Sequence, residues 1–249
     1  MNVVVIIPSR YASSRLEGKP LLSIAGKPMI QRVYESALKA QLVNQVIVAT
    51  DDRRISETVA GFGGKAELTS THHLSGTDRI AEVAADLPCD IVVNLQGDEP
   101  LMEPQLIDEA VTLLMEKQDI YMASAKSAIM QQEDLMNPNV VKVVTDCNDY
   151  ALYFSRSPIP YCSTREEGTA NSMGFKHIGL YVYRKDFLMK FISLPPSSLE
   201  KQERLEQLRA LENGYRIKLV HTEYDAIGVD TKEDLELVRK RLKDIEPGG

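Results

Sequence analysis

Long apolar runs are absent from this sequence. None approaches the roughly 20 apolar residues of a membrane helix, and residues 3–7 form too short a core for a signal peptide, with no basic stretch before them. Cysteine is also scarce, being limited to Cys89, Cys147 and Cys162. An odd number of cysteines without CxxC spacing favours a reducing compartment, with the thiols acting as small buried hydrophobes, over a disulfide framework. We therefore expect a cytoplasmic protein that does not contact a membrane.

Basic residues are fewer than acidic residues in this sequence. The chain has 29 Lys and Arg against 36 Asp and Glu, a formal net charge of -7. Such a balance argues against a surface that coats nucleic acid, because binding a polyanion requires a basic face. Internal repeats, low-complexity tracts and linkers are missing as well. With 43% hydrophobic residues in 249, the chain has enough apolar surface for one large α/β domain, which we expect to span residues 1–249.

Short β-branched runs alternate with helix-period segments over the first two thirds of the chain. The runs VVVII, QVIVAT and DIVVNLQ (residues 3–7, 45–50 and 90–96) are nearly continuous, which is typical of parallel strands covered on both faces. Apolar stripes with helical spacing lie between them, beginning at Met29, Ile55 and Ile80. This alternation predicts a doubly wound, mostly parallel, Rossmann-like sheet, with ligands at the carboxyl ends of its strands.

The alternation of strand-like runs and helical segments ends at about residue 140. Strand-like stretches at residues 140–146, 151–161 and 175–184 predict an antiparallel or mixed β-rich insertion covering about 140–190. A single charged helix is expected at residues 198–214, and a final helix at the sequence DTKED, where Thr231 and Asp234 have approximately the spacing of a capping box.

The loop after the first strand is unusually basic. Within IIPSRYASSRLEGKPL it carries three cations, Arg10, Arg15 and Lys19. These would repel one another unless an anion lay between them. Ser13, Ser14 and Gly18 allow backbone amides to approach such an anion, so the loop resembles a polyphosphate cradle. It is not a GxxxxGK[ST] P-loop, because proline follows the lysine; the alternative is a solvated basic turn.

Carboxylates follow two other apolar runs. Asp98 lies in NLQGDEP and Asp230 lies in IGVDT. A carboxylate beside a polyphosphate is repelled unless a cation intervenes, and Mg²⁺ prefers one or two carboxylates together with phosphate oxygens and water. The alternatives are ordinary turn chemistry at Asp98 and the N-terminal flank of the last helix at Asp230.

Two further segments carry polar groups of less specific meaning. In HHLSGTDR, the small residues Ser75, Gly76 and Thr77 could reach the edge of a nucleobase or simply cap a helix. Its histidines lack metal-ligand spacing, so we do not expect zinc. In FKHIGLYVY, His177 lies in a strand with Tyr181 on the same face, and a lone strand histidine is more often structural than catalytic.

Seven motifs together resemble one family along nearly the whole chain. They are RYASSRLEGKPL, SGTDR, NLQGDEP, ALYFSRSPIPY, KHIGLYVYR, LEQLR and GVDT. The first is shared by sugar nucleotidyltransferases in general, including CMP-sialate synthetases. The later motifs, in this order, resemble the 3-deoxy-manno-octulosonate (Kdo) cytidylyltransferase family. Glu17 stands where many relatives have proline, which alters the stiffness of the loop and leaves its charges intact.

The resemblance implies a nucleotidyltransferase that converts CTP and Kdo to CMP-Kdo and pyrophosphate for lipopolysaccharide biosynthesis. It implies a triphosphate grip by Arg10, Ser13, Ser14, Arg15 and Lys19, a cytosine site at Ser75, Gly76 and Thr77, and Mg²⁺ held by Asp98 and Asp230. The catalytic set would be Arg15, Lys19, Asp98 and Asp230. The sugar pocket would comprise Arg79, Gln96, His177, Tyr181, Glu206 and Gln207.

The implied reaction is an in-line attack of the anomeric hydroxyl on the α-phosphorus, which needs positioning and charge neutralisation more than a nucleophilic side chain. The resemblance and the β-rich segment also suggest a homodimer built partly from residues 152–183. Two alternatives stay open: a cytidylyltransferase for another acidic sugar, such as 8-amino-Kdo or a sialic acid, and a non-catalytic nucleotide-binding regulator.

Overall fold

A nine-stranded sheet forms the centre of the molecule. The computed structural model describes residues 1–12, 16–161, 172–224 and 226–245. Seven strands follow the order β11-β7-β10-β6-β1-β4-β5, with β8 and β9 attached beside β10. In the described part of the chain the strands are β1 Val3–Ser9, β2 Ser23–Ile24, β3 Lys27–Pro28, β4 Gln45–Thr50, β5 Ala66–Leu68, β6 Ile91–Leu95, β7 Met122–Ala128, β8 Lys142–Thr145, β9 Ala151–Ser155, β10 Phe175–Arg184 and β11 Ile217–Thr222; β2 and β3 form a separate hairpin.

The three apolar runs of the first hundred residues form neighbouring parallel strands, as predicted. β1 pairs in parallel with both β4 and β6, and β4 pairs in parallel with β5. Val3 to Ile7 and Val46 to Ala49 are almost completely buried, because helices cover both faces of the sheet. β10 runs antiparallel to its two neighbours β6 and β7, so the sheet is mixed but mostly parallel.

Helices cover both faces of this sheet. Over the described residues they are α1 Met29–Ala37, α2 Arg53–Gly61, α3 Gly76–Ala85, α4 Pro104–Glu116, α5 Gln132–Met136, α6 Lys185–Ser193, α7 Ser198–Glu203, α8 Gln207–Glu212 and α9 Lys232–Ile245, with a 3-10 turn at Lys19–Leu21. The helices α1, α2 and α4 contribute to one apolar cluster, and α3, α6 and α8 contribute to another. None of the helices in these ranges is long and apolar enough to cross a membrane.

The second half of the chain differs from the prediction of an insertion. The expected antiparallel pairing is present, since β8 pairs with both β9 and β10. However, β10 lies between β6 and β7 in the middle of the main sheet. Only β8 and β9 project from it. The reason is that Ile178, Leu180 and Val182 complete the apolar face shared with β6 and β7, a long-range pairing that strand periodicity cannot reveal.

Two local expectations have different outcomes. The single helix predicted at residues 198–214 is two helices, α7 and α8, because Arg204 adopts a left-handed conformation with φ 56°. The capping box before α9 is confirmed. Asp234 accepts from the Thr231 amide at 2.8 Å, and the Asp234 amide donates to Thr231 Oγ1 at 3.2 Å. Asp234 also accepts from the Asp230 amide at 3.0 Å, which ties Asp230 to the start of α9.

The cysteines follow the prediction of buried thiols only in part. Cys89 is buried and unpaired, whereas Cys147 is unpaired and exposed in the turn between β8 and β9. Cys162 lies outside the described residues. Burial raises the pKa of the Cys89 thiol, which keeps that group protonated and unreactive.

Candidate active site

A cavity of about 360 Å³ opens at the carboxyl ends of β1 and β6. We call it the loop cavity; it is lined by Pro8, Ser9, Arg10, Ala12, Lys19, Pro20, Gln96, Gly97, Asp98 and Asp230. It therefore combines the basic loop after β1, the loop after β6 and the segment that leads into α9. Parallel strands present their carboxyl ends along one edge of the sheet, and this is why residues so distant in sequence meet here.

Lys19 joins the two predicted aspartates. Its Nζ is 2.7 Å from Asp98 Oδ2 and 3.1 Å from Asp230 Oδ1, and its side chain is 15% exposed. Burial opposes the charge of the ammonium, but attraction and hydrogen bonding to both carboxylates outweigh it, so the pKa of Lys19 is raised. The lysine is therefore charged, and it neutralises a pair of carboxylates that would otherwise repel each other.

The chain enters Lys19 through a tight turn. Gly18 has φ 64°, and its amide donates to the Tyr11 carbonyl oxygen at 3.0 Å. A Cβ on Gly18 would lie 3.1 Å from the Tyr11 ring, so this position requires glycine. The Tyr11 ring in turn lies 3.3 Å from the Arg54 guanidinium, which anchors the loop to α2.

The donor set of Asp98 and Asp230 fits a magnesium ion. Within the described ranges, no group of three or more His, Cys, Asp or Glu side chains could hold a metal. Mg²⁺ is usually bound by one or two carboxylates, with substrate phosphates and water completing its shell, and it does not need an all-protein cage. Both carboxylates already lie within 3.1 Å of one cationic nitrogen.

Arg10 lines the loop cavity and also binds the segment that precedes α3. Its Nη2 donates to the His73 carbonyl oxygen at 2.6 Å and to the Ser75 carbonyl oxygen at 3.2 Å. The loop after β1 and the start of α3 are thereby held together. Ser13, Ser14 and Arg15 lie outside the described residues, so their expected contacts with phosphate stay predictions.

A second cavity, of about 250 Å³, adjoins β10. We call it the strand cavity; its walls are Gly76, Thr77, Asn94, Gln96, Val141, His177, Gly179, Tyr181, Tyr183, Arg204, Leu205, Glu206 and Gln207. Five of the six residues expected in the sugar pocket are in this set. Gln96 lines both cavities, and its amide donates to Asn94 Oδ1 at 3.0 Å. The two cavities are thus neighbours that share one wall.

The strand cavity holds both hydrogen-bond donors and acceptors. Thr77 Oγ1 donates to Glu206 Oε2 at 2.5 Å. Among the described side chains, Gln207 Nε2 is buried without a hydrogen-bond partner. Burial lowers the pKa of His177 to about 3, and burial followed by the charge of Glu206 raises the pKa of Tyr181. At neutral pH the imidazole and the phenol are both uncharged.

The segment 75–77, predicted to bind the cytosine, begins α3 beside the strand cavity. Ser75 caps α3, since its Oγ accepts from the Asp78 amide at 3.1 Å, and within the described part of the chain it is on neither cavity wall. Gly76 packs against Pro8. Gly76 and Thr77 line the strand cavity with His177 and Glu206. The helix-cap alternative therefore describes the Ser75 side chain.

Arg79 does not line the strand cavity, contrary to the sequence-based expectation. It is completely buried. Its Nη2 is 2.6 Å from Asp51 Oδ2, and its Nη1 donates a hydrogen bond to Thr69 Oγ1. One helical turn separates Arg79 from Gly76, but the ion pair with Asp51 directs its guanidinium toward β4 and the loop after β5. Sequence reasoning could not foresee this because Asp51 is 28 residues away.

Glu99, next to Asp98, is a buried carboxylate beside this site to which the sequence analysis gave no role. Burial, followed by the charge of Asp98, raises the pKa of Glu99 to about 8. Its Oε2 has no hydrogen-bond partner among the residues described, and Oε1 lies near Gly179 and Gly228. The signal was present in the motif GDEP as a second carboxylate, but only tertiary packing reveals which of the two is buried.

Known proteins match this chain along almost its whole length. A family model described as Cytidylyltransferase matches residues 4–218. The 3-deoxy-manno-octulosonate cytidylyltransferase of Geotalea uraniireducens (strain Rf4) is 56% identical over 250 residues, covering 98% of this chain and all of that protein. The chain belongs to the 3-deoxy-manno-octulosonate cytidylyltransferase family. Another member, from Geobacter sulfurreducens, is 54% identical over 250 residues, covering 98% of this chain and 100% of its own length.

A solved member of this family has the same fold. The structure of a CMP:2-keto-3-deoxy-manno-octonic acid synthetase complexed with CTP has a TM-score of 0.91 and 44% sequence identity, and the match covers 99% of this chain and 100% of the other. The family resemblance read from the seven motifs is therefore confirmed, as is the nucleotidyltransferase fold. As a member of the cytidylyltransferase family, the chain is a nucleotidyltransferase.

Proposed function

We propose that this chain transfers the cytidylyl group of CTP to Kdo, releasing pyrophosphate and supplying CMP-Kdo to lipopolysaccharide biosynthesis. The observation that carries this proposal is the shared wall of two cavities. Two cations and two carboxylates lie in the loop cavity, hydrogen-bonding groups that include His177, Tyr181 and Glu206 line the strand cavity, and Gln96 belongs to both. Two substrates bound side by side across Gln96 would have their reacting groups close together.

The nucleotide belongs in the loop cavity under this proposal. Lys19 and Arg10 line it, and each can donate charge-assisted hydrogen bonds to phosphate oxygens. Arg15, Ser13 and Ser14 complete the grip in our proposal. Gly76 and Thr77 line the strand cavity next to the loop cavity, and the Ser75 carbonyl oxygen accepts from Arg10 of the loop cavity. The start of α3 thus borders both cavities, and these three residues remain our candidates for the cytosine end of the nucleotide.

The sugar belongs in the strand cavity. Glu206 and the neutral His177 can accept hydrogen bonds from hydroxyl groups, whereas Gln207 and Tyr181 can donate them. Gln96 completes the set. Gln207 Nε2 is buried without a hydrogen-bond partner among the described residues. Such a group favours a ligand rich in hydroxyls, since a ligand without hydroxyls would leave it unpaired.

Asp98 and Asp230 would hold Mg²⁺ beside the triphosphate. Bound there, the ion would offset phosphate charge and favour ionisation of the attacking hydroxyl. In the reaction, the anomeric hydroxyl loses its proton to solvent and its oxygen forms a bond to the α-phosphorus, while the bond from that phosphorus to the pyrophosphate oxygen breaks. The Lys19 ammonium stabilises the charge on the departing pyrophosphate, and the walls of the strand cavity hold the sugar in line.

We further propose that the protein is a homodimer located in the cytoplasm. β9 pairs only with β8 among the described strands, and Leu152 on β9 is 62% exposed. Met130 and Met136, in the segment that joins β7 to β8, are 54% and 60% exposed. An exposed leucine on an open strand edge favours burial against a second copy.

Pyrophosphate release separates the candidate functions. Purified protein is supplied with CTP, Mg²⁺ and, in turn, Kdo, 8-amino-Kdo or a sialic acid, with UTP replacing CTP as the control nucleotide. Release that requires Kdo and CTP supports the proposal. Faster release with one of the other sugars would reassign the acceptor, and CTP binding without release from any sugar would favour the non-catalytic regulator.

A further inference from the structure

Ser124 is a buried hydroxyl in the wall behind the strand cavity. It lies on β7 and is completely inaccessible to solvent. Its Oγ is 2.8 Å from His177 Nε2, 2.7 Å from the Leu180 carbonyl oxygen and 3.3 Å from the Ile178 carbonyl oxygen. One hydroxyl therefore contacts a ring nitrogen and two carbonyl oxygens.

An irregularity in the sheet creates this arrangement. Ile178 pairs with Ala125 and Val182 pairs with Ala123, and the register between β10 and β7 shifts between these pairs. Ser124 faces the shifted stretch of β10, where the regular ladder to β7 is interrupted. The hydroxyl takes the place of the missing ladder contacts.

The contacts of Ser124 determine which nitrogen of His177 carries the proton. A serine hydroxyl has one proton to donate and two lone pairs to accept with. Carbonyl oxygens can only accept, so the proton points to Leu180, the nearer carbonyl. If His177 Nε2 were unprotonated, it would have to compete for that proton, and one short contact to Ser124 would join two lone pairs. The arrangement is satisfied when His177 Nε2 donates to Ser124.

We propose that Ser124 is a positioning residue that holds His177 in its Nε2-protonated tautomer, so that Nδ1 accepts a hydrogen bond from a hydroxyl group of the acceptor sugar. This inference deepens the proposed function and rests on it for the identity of the sugar. Ser124 itself touches no substrate. It acts through the imidazole, as the outer partners of functional histidines commonly do.

The surroundings of His177 agree with a neutral acceptor. The ring stands edge-on to Phe154, with centroids 5.1 Å apart, and lies 5.1 Å from the Tyr181 ring. Such an apolar environment disfavours an imidazolium, which is consistent with the lowered pKa of His177. Nδ1 has no hydrogen-bond partner within the described residues, although the ring lines the strand cavity.

The tautomer selects between groups of the substrate. A lone pair on Nδ1 attracts a hydroxyl proton and repels a carboxylate oxygen. The carboxylate of an acidic sugar is therefore placed away from His177, and a hydroxyl of its polyol portion is placed against it. His177 thus distinguishes substrates by a hydrogen-bond donor at one position.

The first test is spectroscopic and needs no turnover. The chain has 4 histidines, so long-range ¹H–¹⁵N spectra of the full-length protein contain few ring signals, and His177→Gln identifies the one of interest. We expect His177 to be neutral, with its proton on Nε2. A proton on Nδ1, or an imidazolium at pH 7, would overturn the proposal.

The second test is kinetic and uses a matched serine. Ser127 lies on the same strand, is also buried, and its Oγ has no hydrogen-bond partner among the described residues. We expect Ser124→Ala to raise KM for Kdo about tenfold, which is the effect of one lost hydrogen bond, with KM for CTP unchanged. Ser127→Ala should leave both values unchanged. Equal KM values for Kdo in the two variants would overturn the positioning role.

A double-mutant comparison separates action through His177 from general destabilisation. In a His177→Leu background, Ser124→Ala should add no further rise in KM for Kdo, because the group through which it acts is already gone. An additive rise would show that Ser124 acts independently and would overturn the proposal. Absence of turnover with Kdo in the wild type would contradict the proposed function, while the spectra would still decide the tautomer.

Discussion

At the scale of single residues, Lys19 is central both to the structure of the loop cavity and to the proposed reaction. Its ammonium bridges Asp98 and Asp230, and under our proposal it would bind phosphate oxygens of the nucleotide. The proposed phosphate contact can be tested by removing the ammonium.

Lys19→Ala should impair catalysis far more than folding. Loss of a charge-assisted contact to phosphate costs about 1.5 to 3 kcal/mol, which corresponds to roughly a 10-fold to 150-fold fall in kcat/KM for CTP. Lys27→Ala is the matched control, because Lys27 forms an ion pair with Glu35 away from the loop cavity. Steady-state kinetics and thermal melting measure the two effects. Unchanged kinetics in a folded Lys19→Ala protein would remove this lysine from the mechanism.

Asp98→Asn and Asp230→Asn should each lose Mg²⁺-dependent turnover. Both carboxylates approach one cation, so each is expected to contribute to one site, and the double variant should lose little more than either single variant. The measurement is a Mg²⁺ titration of pyrophosphate release, with the exposed Asp86→Asn as control. Wild-type Mg²⁺ dependence in Asp230→Asn would leave Asp230 only as the residue preceding α9.

At the scale of elements, α7 and α8 bring Glu206 and Gln207 into the strand cavity. Glu203 ends α7 and attaches it to β9. Its carboxylate accepts from Ser155 Oγ at 2.6 Å, from the Arg156 amide at 2.9 Å and from the Tyr153 hydroxyl at 3.3 Å. Burial opposes ionisation, but these hydrogen bonds outweigh it and lower the pKa of Glu203.

Glu203→Ala should therefore weaken the sugar side of the site selectively. Removing the three hydrogen bonds detaches the end of α7, and with it the segment that presents Glu206. We expect KM for Kdo to rise about tenfold or more while KM for CTP stays the same. Lys201→Ala, at an exposed position of the same helix, is the control. Parallel changes in both KM values would indicate a general loss of structure.

At the scale of the whole molecule, one buried histidine should make stability depend on pH. Burial lowers the pKa of His177 to about 3 in the folded protein, from its usual 6.5. Between these values the unfolded chain binds a proton at His177 that the folded chain excludes, so the contribution of His177 to stability falls as pH falls below about 6.5. The slope for one proton is about 1.4 kcal/mol per pH unit.

Denaturant unfolding between pH 6.5 and about pH 4.5 measures this contribution as the difference between wild type and His177→Gln. The comparison with His177→Gln is necessary because Glu99 stabilises the folded state as pH falls, which offsets the effect of His177. The pKa of Glu99 is raised to about 8, so the folded state is favoured as pH falls through that value. For each unit by which pH falls, the wild type should lose about 1.4 kcal/mol of unfolding free energy relative to His177→Gln. Identical slopes would mean that the imidazole is not buried in the neutral form.

The proposed dimer gives a second prediction at this scale. Leu152→Arg places a charge on β9, where Leu152 is 62% exposed and where we propose that a second copy binds. Sedimentation velocity should show a dimer for the wild type and a monomer for the variant. Leu237→Arg, at another exposed leucine, should leave the dimer intact. A wild-type monomer at micromolar concentration would contradict the proposal.

Local sequence determined much of this protein. The β-branched runs of β1, β4 and β6 predict parallel strands because their apolar character is continuous over one short stretch. The capping box at Thr231 and Asp234 is a local pattern of four residues. The basic loop and Asp98 could be identified because they follow apolar runs that form β1 and β6, and parallel strands bring such ends together. The apolar run before Asp230 forms no strand, so its approach to Lys19 depends on tertiary structure. The seven motifs identified the family for the same reason, since each is contiguous.

Tertiary structure decided the rest. The central position of β10 and the partner of Arg79 depend on contacts between distant residues. Burial separates Glu99 from the adjacent Asp98, and a shift of register places Ser124 against His177. Sequence periodicity reports which face of an element is apolar. It does not report which element that face will meet, and a pKa or a tautomer depends on that neighbour.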